Sequence, residues 1–268
     1  YFFKSSENGE FSVKTVIYYT GSSFGVSFNS ASQLKQKIRF LKNNYKKDYC
    51  LFLDSGSLFN YKLRETSSGS HLEHYKFIAD TYNYLDYDVI CPSYRDLSDS
   101  FALAALRKIN AVKIATNIRF AGSTELPEQF VKARIFIKNN IRFLTLGVIS
   151  EPAAVSDTKN IYDCSIIVDS PVSAINREII NNDGCYDFII VSGNMSFDIV
   201  KNICISVPQI DLFIWSDEFQ ELHSEKRIWN DIPIVNAGIL ESFIGVAELN
   251  FNKYYARKFK LKNNLVKL

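Results

Sequence analysis

Residues 15–25 read Thr-Val-Ile-Tyr-Tyr-Thr-Gly-Ser-Ser-Phe-Gly. Residues 16–20 form an uncharged run of β-branched and aromatic side chains, the pattern of a strand buried on both faces. Gly21-Ser22-Ser23 then turns the chain. In α/β proteins ligands gather at the carboxyl ends of such strands, so the loop leaving this one is where chemistry is expected.

Outward from this run, residues 49–54, 87–91, 112–115, 188–191 and 211–215 are further short runs rich in apolar residues, each expected to be a strand. Helical spacing separates them. Leu34, Ile38 and Leu41 mark a helix over 30–44, and Tyr75, Ile78, Ala79 and Tyr82 one over 71–84. Ala102, Ala105, Leu106 and Ile109 mark one over 97–109. Pro171 suits the first turn of a helix whose inner face is Val172, Ile175 and Ile179. Ser196 stands as N-cap to a helix over 197–205. Residues 133–137 and 141–149 flank Lys138-Asn139-Asn140 and read as a hairpin, so the sheet is mixed. Residues 232–235 and 243–249 are expected to close the sheet. The organisation is a polar segment over 1–12, one domain over 13–252, and a basic tail over 253–268 that adds a strand or stays extended. Helices after strands, with hairpins at the middle and end, suit a two-sheet sandwich flanked by helices.

The 268 residues are 47% hydrophobic and 22% charged, with a net charge of +2, which gives no reason to expect nucleic acid or a membrane surface. No run of about 18 apolar residues predicts a transmembrane helix, and no signal peptide is visible. The five cysteines, Cys50, Cys91, Cys164, Cys185 and Cys204, are odd in number and follow no metal-ligand spacing. Cys50, Cys91 and Cys204 lie in or beside apolar runs and read as buried thiols. His71 and His74 stand three apart on a predicted helix and His223 stands alone. With Asp217 or Glu218 they are weighed as a new site against exposed polar positions. No Gly-rich phosphate loop and no Gly-x-Ser-x-Gly motif occurs.

The order of these blocks, over about residues 13–251, resembles the 5'-nucleotidase branch of the calcineurin-like metallophosphoesterases. The opening run resembles that family's His-Thr-Asn-Asp-x-His-Gly, with Ser22 and Phe24 at the Asp and last His and Gly25 retained. Leu51-Phe52-Leu53-Asp54-Ser55-Gly56-Ser57 resembles Leu-x-Leu-Asp-x-Gly-Asp, which puts the bridging Asp on Ser57. The Gly-Asn-His-Glu loop falls, within one residue, on Pro92-Ser93-Tyr94-Arg95. Leu-Ser-His falls on Val191-Ser192-Gly193, and the fifth block, Asp-x-Ile-Ile-x-Gly-His-x-His, on residues 211–219. Pro233-Ile234-Val235-Asn236-Ala237-Gly238 matches the closing strands.

The resemblance implies a four-layer α/β/β/α sandwich, metallo-dependent phosphatase-like, with mixed sheets and the runs at 16–20, 51–54, 89–91, 188–191 and 212–215 as interior strands. It also implies a reaction: two metal ions about 3.5–4 Å apart generate a hydroxide and neutralise the phosphoryl oxygens. The ligand positions here read Ser22, Phe24, Ser57, Ser93, Gly193, Asp217 and Phe219, with Tyr94 at the extra His. Only Asp217 keeps a good ligand type, and a divalent metal there is the alternative to no cofactor. Phe24 and Phe219 are expected side by side. Losing Asp and His ligands together leaves a neutral, Ser-rich cleft, whereas carboxylates left without metal would repel one another. The expectation is a catalytically inactive domain serving as a binding or structural module, its partner another protein. The alternatives are a phosphoesterase with a rebuilt site and a small-ligand binder. Lys253, Arg257, Lys258, Lys260 and Lys262, interleaved with Tyr254, Tyr255 and Phe259, read as a partner surface or as a solvated edge strand. Relatives are often exported, which favours an extracytoplasmic or periplasmic address; the unpaired cysteines favour the cytoplasm.

Overall fold

The structure, a computed structural model, describes residues 12–21, 36, 39–40, 43, 47–59, 68–97, 100–121, 126, 128–150, 166–217, 227–236, 243–252 and 255–267. The strands are β1 (Ser12–Thr20), β2 (Cys50–Asp54), β3 (Val89–Ile90), β4 (Val112–Ile114), β5 (Ile118–Phe120), β6 (Phe130–Val131), β7 (Arg134–Lys138) and β8 (Ile141–Ile149). They continue as β9 (Ile166–Val168), β10 (Phe188–Asn194), β11 (Leu212–Ser216), β12 (Arg227–Trp229), β13 (Ile232–Asn236), β14 (Phe243–Asn252) and β15 (Tyr255–Lys267). The helices are α1 (Ser68–Leu85), α2 (Tyr94–Leu97), α3 (Ser100–Arg107), α4 (Pro171–Asn181) and α5 (Phe197–Ser206).

Two sheets face each other. The first has the order β15-β14-β1-β2-β3-β4-β6, parallel from β1 to β6, with β14 antiparallel to β1 and β15 antiparallel to β14. The second has the order β12-β13-β11-β10-β8-β7, parallel from β13 to β8 and closed by a hairpin at each edge. The runs expected to be interior strands all have neighbours on both sides.

The period of two along β1 explains the layers. Val16 and Tyr18 face one way, against Tyr75, Ile78 and Tyr82 of α1 and Leu106 of α3. Ile17 and Tyr19 face the other, joining Leu51 and Leu53 against Phe143, Phe188, Ile190 and Ile214 of the second sheet. The far face of that sheet packs Leu146, Val191, Phe213 and Trp215 on Ile175 and Ile179 of α4 and Val200 and Ile203 of α5. The result is a four-layer α/β/β/α sandwich with mixed sheets. Strands buried on both faces have no place for charge, which is why their runs are nearly uncharged.

Local signals hold with some shifts. Asn139 and Asn140 take φ of 51° and 63° in the β7–β8 turn, a left-handed pair that asparagine tolerates. Ser170 caps α4, its hydroxyl accepting from the Ser173 N–H at 3.5 Å. Ser196 occupies the N-cap of α5, but its side chain makes no capping bond. Of the stretch expected as one helix over 97–109, residues 100–107 form α3, and Leu97 belongs instead to the end of the short α2. The two closing runs part company: β13 joins the second sheet and β14 the first. The basic tail forms β15, of which Phe259 and Leu261 pack into the intersheet core. Of the expected helix over 30–44 only residues 36, 39, 40 and 43 are described, and they are helical.

Candidate functional site

The carboxyl ends of parallel strands from both sheets meet along one rim. Gly21, just past β1, lies where a Cβ would stand 2.3 Å from the Ser55 hydroxyl oxygen and 2.7 Å from Ser216 Cβ. Only glycine fits that crossing. The Ser216 hydroxyl donates to the Ser55 carbonyl at 3.4 Å, joining the end of β11 to the end of β2. Asn194, closing β10, donates from Nδ2 to Ser216 Oγ at 2.9 Å. Farther along, the Gly147 N–H donates to Thr116 Oγ1 at 3.0 Å and Thr116 N–H to the Gly147 carbonyl at 2.7 Å, so β8 and the end of β4 are stitched without room for a side chain at Gly147.

The predicted positions map onto this rim as follows. Ser57 is buried in the loop after β2, with φ of 64° behind Gly56 at 98°. Ser93 is buried at the start of α2, and half-buried Tyr94 follows it. Gly193 is buried in β10, paired with Trp215, and Asp217 is half-buried just beyond β11. Ser57 and Ser93 come together: their backbone N–H groups donate to the same oxygen, Asp96 Oδ2, at 2.9 and 2.8 Å. Ser22, Phe24 and Phe219 lie outside the described residues, and with them the expected ring contact. His71 and His74 lie on α1; His223 is also outside. Cys50, Cys91 and Cys204 are buried thiols and Cys185 is exposed. The buried Cys91 thiol is pushed far up by desolvation.

Two further residues build the rim and were not singled out from the sequence. Asp54 and Asp96 are both fully buried. Asp54 Oδ2 accepts from Thr20 Oγ1 at 2.7 Å and from the Tyr82 hydroxyl at 2.9 Å, and Oδ1 accepts from the Gly56 N–H at 2.8 Å. Thr20 Oγ1 lies 2.8 Å from the Tyr87 hydroxyl, whose ring stacks on Tyr82 at 4.8 Å between centroids. Asp96 accepts from the N–H groups of Ser57, Leu58, Phe59 and Ser93 and from the Ser93 hydroxyl. Burial raises Asp54 to about 6, against the hydrogen bonds that pull it down, and raises Asp96 as well. A signal for both was present. Asp54-Ser55-Gly56 is an Asx-type turn, and Ser93-x-x-Asp96 is a capping box whose reciprocal bonds form, Ser93 N–H to Asp96 at 2.8 Å and Asp96 N–H to Ser93 Oγ at 3.4 Å.

The described donors of this rim do not by themselves make up a two-metal centre. Serine hydroxyls at 57 and 93 are weak neutral ligands, Gly193 offers no side chain, and Asp217 is one carboxylate. Asp54 and Asp96 have both oxygens committed to neighbouring donors. Among the described residues no three His, Cys, Asp or Glu side chains come together as ligands.

The fold is shared with solved structures of calcineurin-like phosphoesterases and 5'-nucleotidases. No protein-family profile and no curated protein matches the chain, but solved structures do. It is similar to the calcineurin-like phosphoesterase YfkN of Bacillus subtilis, at 16% identity and a TM-score of 0.69 over 96% of this chain and 90% of that one. It is similar to the Haemophilus influenzae NAD nucleotidase NadN, at 12% identity and a TM-score of 0.73 over 96% of this chain and 50% of that one. It is also similar to a 5'-nucleotidase precursor of Thermus thermophilus, at 12% identity and a TM-score of 0.65 over 95% and 55%. The chain thus spans about half the length of the last two. At these identities the likeness is one of fold.

Proposed function

We propose that the chain is a catalytically inactive domain of the 5'-nucleotidase-like metallophosphoesterase fold, serving as a binding or structural module for another protein and needing no cofactor. The observation that supports this most is the residue set along the rim: Ser57, Ser93 and Gly193 stand where the resemblance puts ligands, and Ser57 and Ser93 are tied by backbone bonds to Asp96. The positions Ser22, Phe24, Tyr94 and Phe219 complete the proposed set. The two carboxylates beneath the rim, Asp54 and Asp96, have their oxygens satisfied by neighbouring N–H and hydroxyl donors, so neither is left for a metal to satisfy. An extracytoplasmic address goes with this reading through the exported relatives that the sequence resembles. Among the described residues no helix is long and apolar enough to cross a membrane.

The test is hydrolysis of a simple aryl phosphate and of nucleoside monophosphates with added manganese, zinc or cobalt. The expected result is turnover no faster than the metal-only control. Metal-dependent turnover that Asp217→Ala abolishes would replace this reading with that of a rebuilt enzyme. Thermal stabilisation by a nucleotide or sugar without turnover would replace it with that of a small-ligand binder.

A further inference from the structure

The two carboxylates buried beneath the loop after β2 are met by donors of different kinds. Asp96 receives four backbone N–H groups, at 2.8 to 3.2 Å, and one hydroxyl, that of Ser93, at 3.0 Å. A backbone N–H can only donate, so four of these five partners demand the ionised carboxylate. Asp54 meets one N–H, from Gly56, on Oδ1, and two hydroxyls, of Thr20 and Tyr82, on Oδ2. A hydroxyl donates or accepts as its neighbours require. Oδ2 can therefore carry a hydrogen and donate it to Thr20 Oγ1, whose own hydrogen turns to the Tyr87 oxygen 2.8 Å away. The same pocket satisfies both protonation states of Asp54, and only one of Asp96.

The surroundings give the proton a reason to bind. The titratable groups that act on Asp54 or are acted on by it are Tyr82 from α1, Tyr87 ahead of β3, Cys91 beyond β3 and Asp96 from α2. None of these is a cation. An ionised Asp54 would be a second buried negative charge beside Asp96, with no cation among these groups to offset it.

We propose that Asp54 binds and releases a proton while Asp96 stays ionised, and that this proton sets how tightly the turn over residues 54–56 is held on the rim. Burial pushes both carboxyls up, Asp54 to about 6, and the donors decide which of the coupled pair takes the proton. With Asp54 protonated, the pocket holds one negative charge, fully hydrogen-bonded. With Asp54 ionised, the Gly56 N–H bond to Oδ1 becomes charge-assisted and holds the turn Asp54-Ser55-Gly56 more tightly. The device works whether or not the rim turns over a substrate.

Carboxyl carbon NMR of the whole chain, labelled at aspartate, tests this between about pH 4.5 and 8 alongside amide exchange. One buried carboxyl should titrate with a midpoint of about 6, its resonance absent in Asp54→Asn. Exchange at the Gly56 amide should slow across the same range by on the order of tenfold against the intrinsic rise with pH. Tyr87→Phe, which keeps the pocket's shape, should lower the midpoint, because Thr20 then has only Asp54 to donate to. Asp54 already ionised at the acidic end, titration of Asp96 in its place, unchanged amide exchange, or a midpoint indifferent to Tyr87→Phe would each overturn the proposal.

Discussion

Asp96 closes a loop that comes from elsewhere in the chain. Its partners Ser57, Leu58 and Phe59 are 39, 38 and 37 residues away. Replacing it with alanine leaves four buried N–H groups without an acceptor, and each unsatisfied group costs about 1–3 kcal/mol. We expect Asp96→Ala to lower the unfolding free energy by at least about 3 kcal/mol in urea titration; a midpoint within error of the parent would show that water replaces the carboxylate at no cost. Ser57 makes the opposite case. Its φ of 64° is a conformation that glycine adopts freely, so Ser57→Gly should hold or raise the melting temperature while Ser57→Val lowers it. At this scale the sequence was only half legible. The capping box at Ser93 and Asp96 is local and readable from four residues. That its carboxylate also serves a distant loop is not, because those bonds depend on how β2 and β3 lie side by side. For the same reason the partners of Asp54, Thr20 and Tyr82, cannot be read from the strand run at 49–54.

The elements show what periodicity reveals and what it hides. The partial alternation over 253–268 suggested a strand or an extended segment, and residues 255–267 form β15, paired with β14 over nearly its whole length. What fastens it is a side chain from β1. The buried Tyr19 hydroxyl donates to Asn263 Oδ1, 244 residues away, with its ring lying across Gly245 of β14. A Cβ at Gly245 would stand 2.1 Å from that ring, so the strand between must carry glycine there. No spacing rule links positions that far apart. Asn263→Leu strands the Tyr19 hydroxyl and should cost about 1–3 kcal/mol, and Tyr19→Phe in the same chain should recover most of it. Two additive penalties in that double-mutant cycle would mean the bond contributes nothing. Deleting the tail therefore cannot separate folding from partner binding, and surface changes must be used. Lys260 and Lys262 are exposed on β15. Lys260→Glu with Lys262→Glu should leave stability within about 0.5 kcal/mol while reducing partner recovery from cell extract, if the basic strand is the contact; full recovery would remove it from consideration.

For the whole molecule, the order of runs sufficed to anticipate two sheets between helices, because four layers with three apolar interfaces leave few places for charge along the inner strands. Their division between sheets was less visible, since β13 and β14 both begin with apolar runs, yet β13 lies parallel to β11 in the second sheet and β14 antiparallel to β1 in the first. The chemistry of the rim has a consequence for the stability of the whole chain, and it is measurable without knowing any substrate. A metal that binds the native state alone stabilises it by RT ln(1 + [L]/Kd), about 4 kcal/mol at a thousandfold excess over Kd. For a domain of this size each kcal/mol moves the melting temperature by roughly 2–4 °C. A competent two-metal centre of micromolar affinity would thus shift melting by roughly 10 °C in about 1 mM manganese. A rim of Ser57, Ser93, Gly193 and Asp217 offers one anionic ligand, and a single carboxylate binds divalent ions too weakly to be occupied at that concentration. We expect a shift below about 1 °C, the same in Asp217→Ala, and the same again in Ser57→Asp, because two carboxylates without imidazole partners still fall short of a tetrahedral or octahedral set. A shift of several degrees in the parent that disappears in Asp217→Ala would mean that residues 22–30 or 218–226 supply ligands to a working centre, and the reading of this rim as ligand-poor would then be wrong.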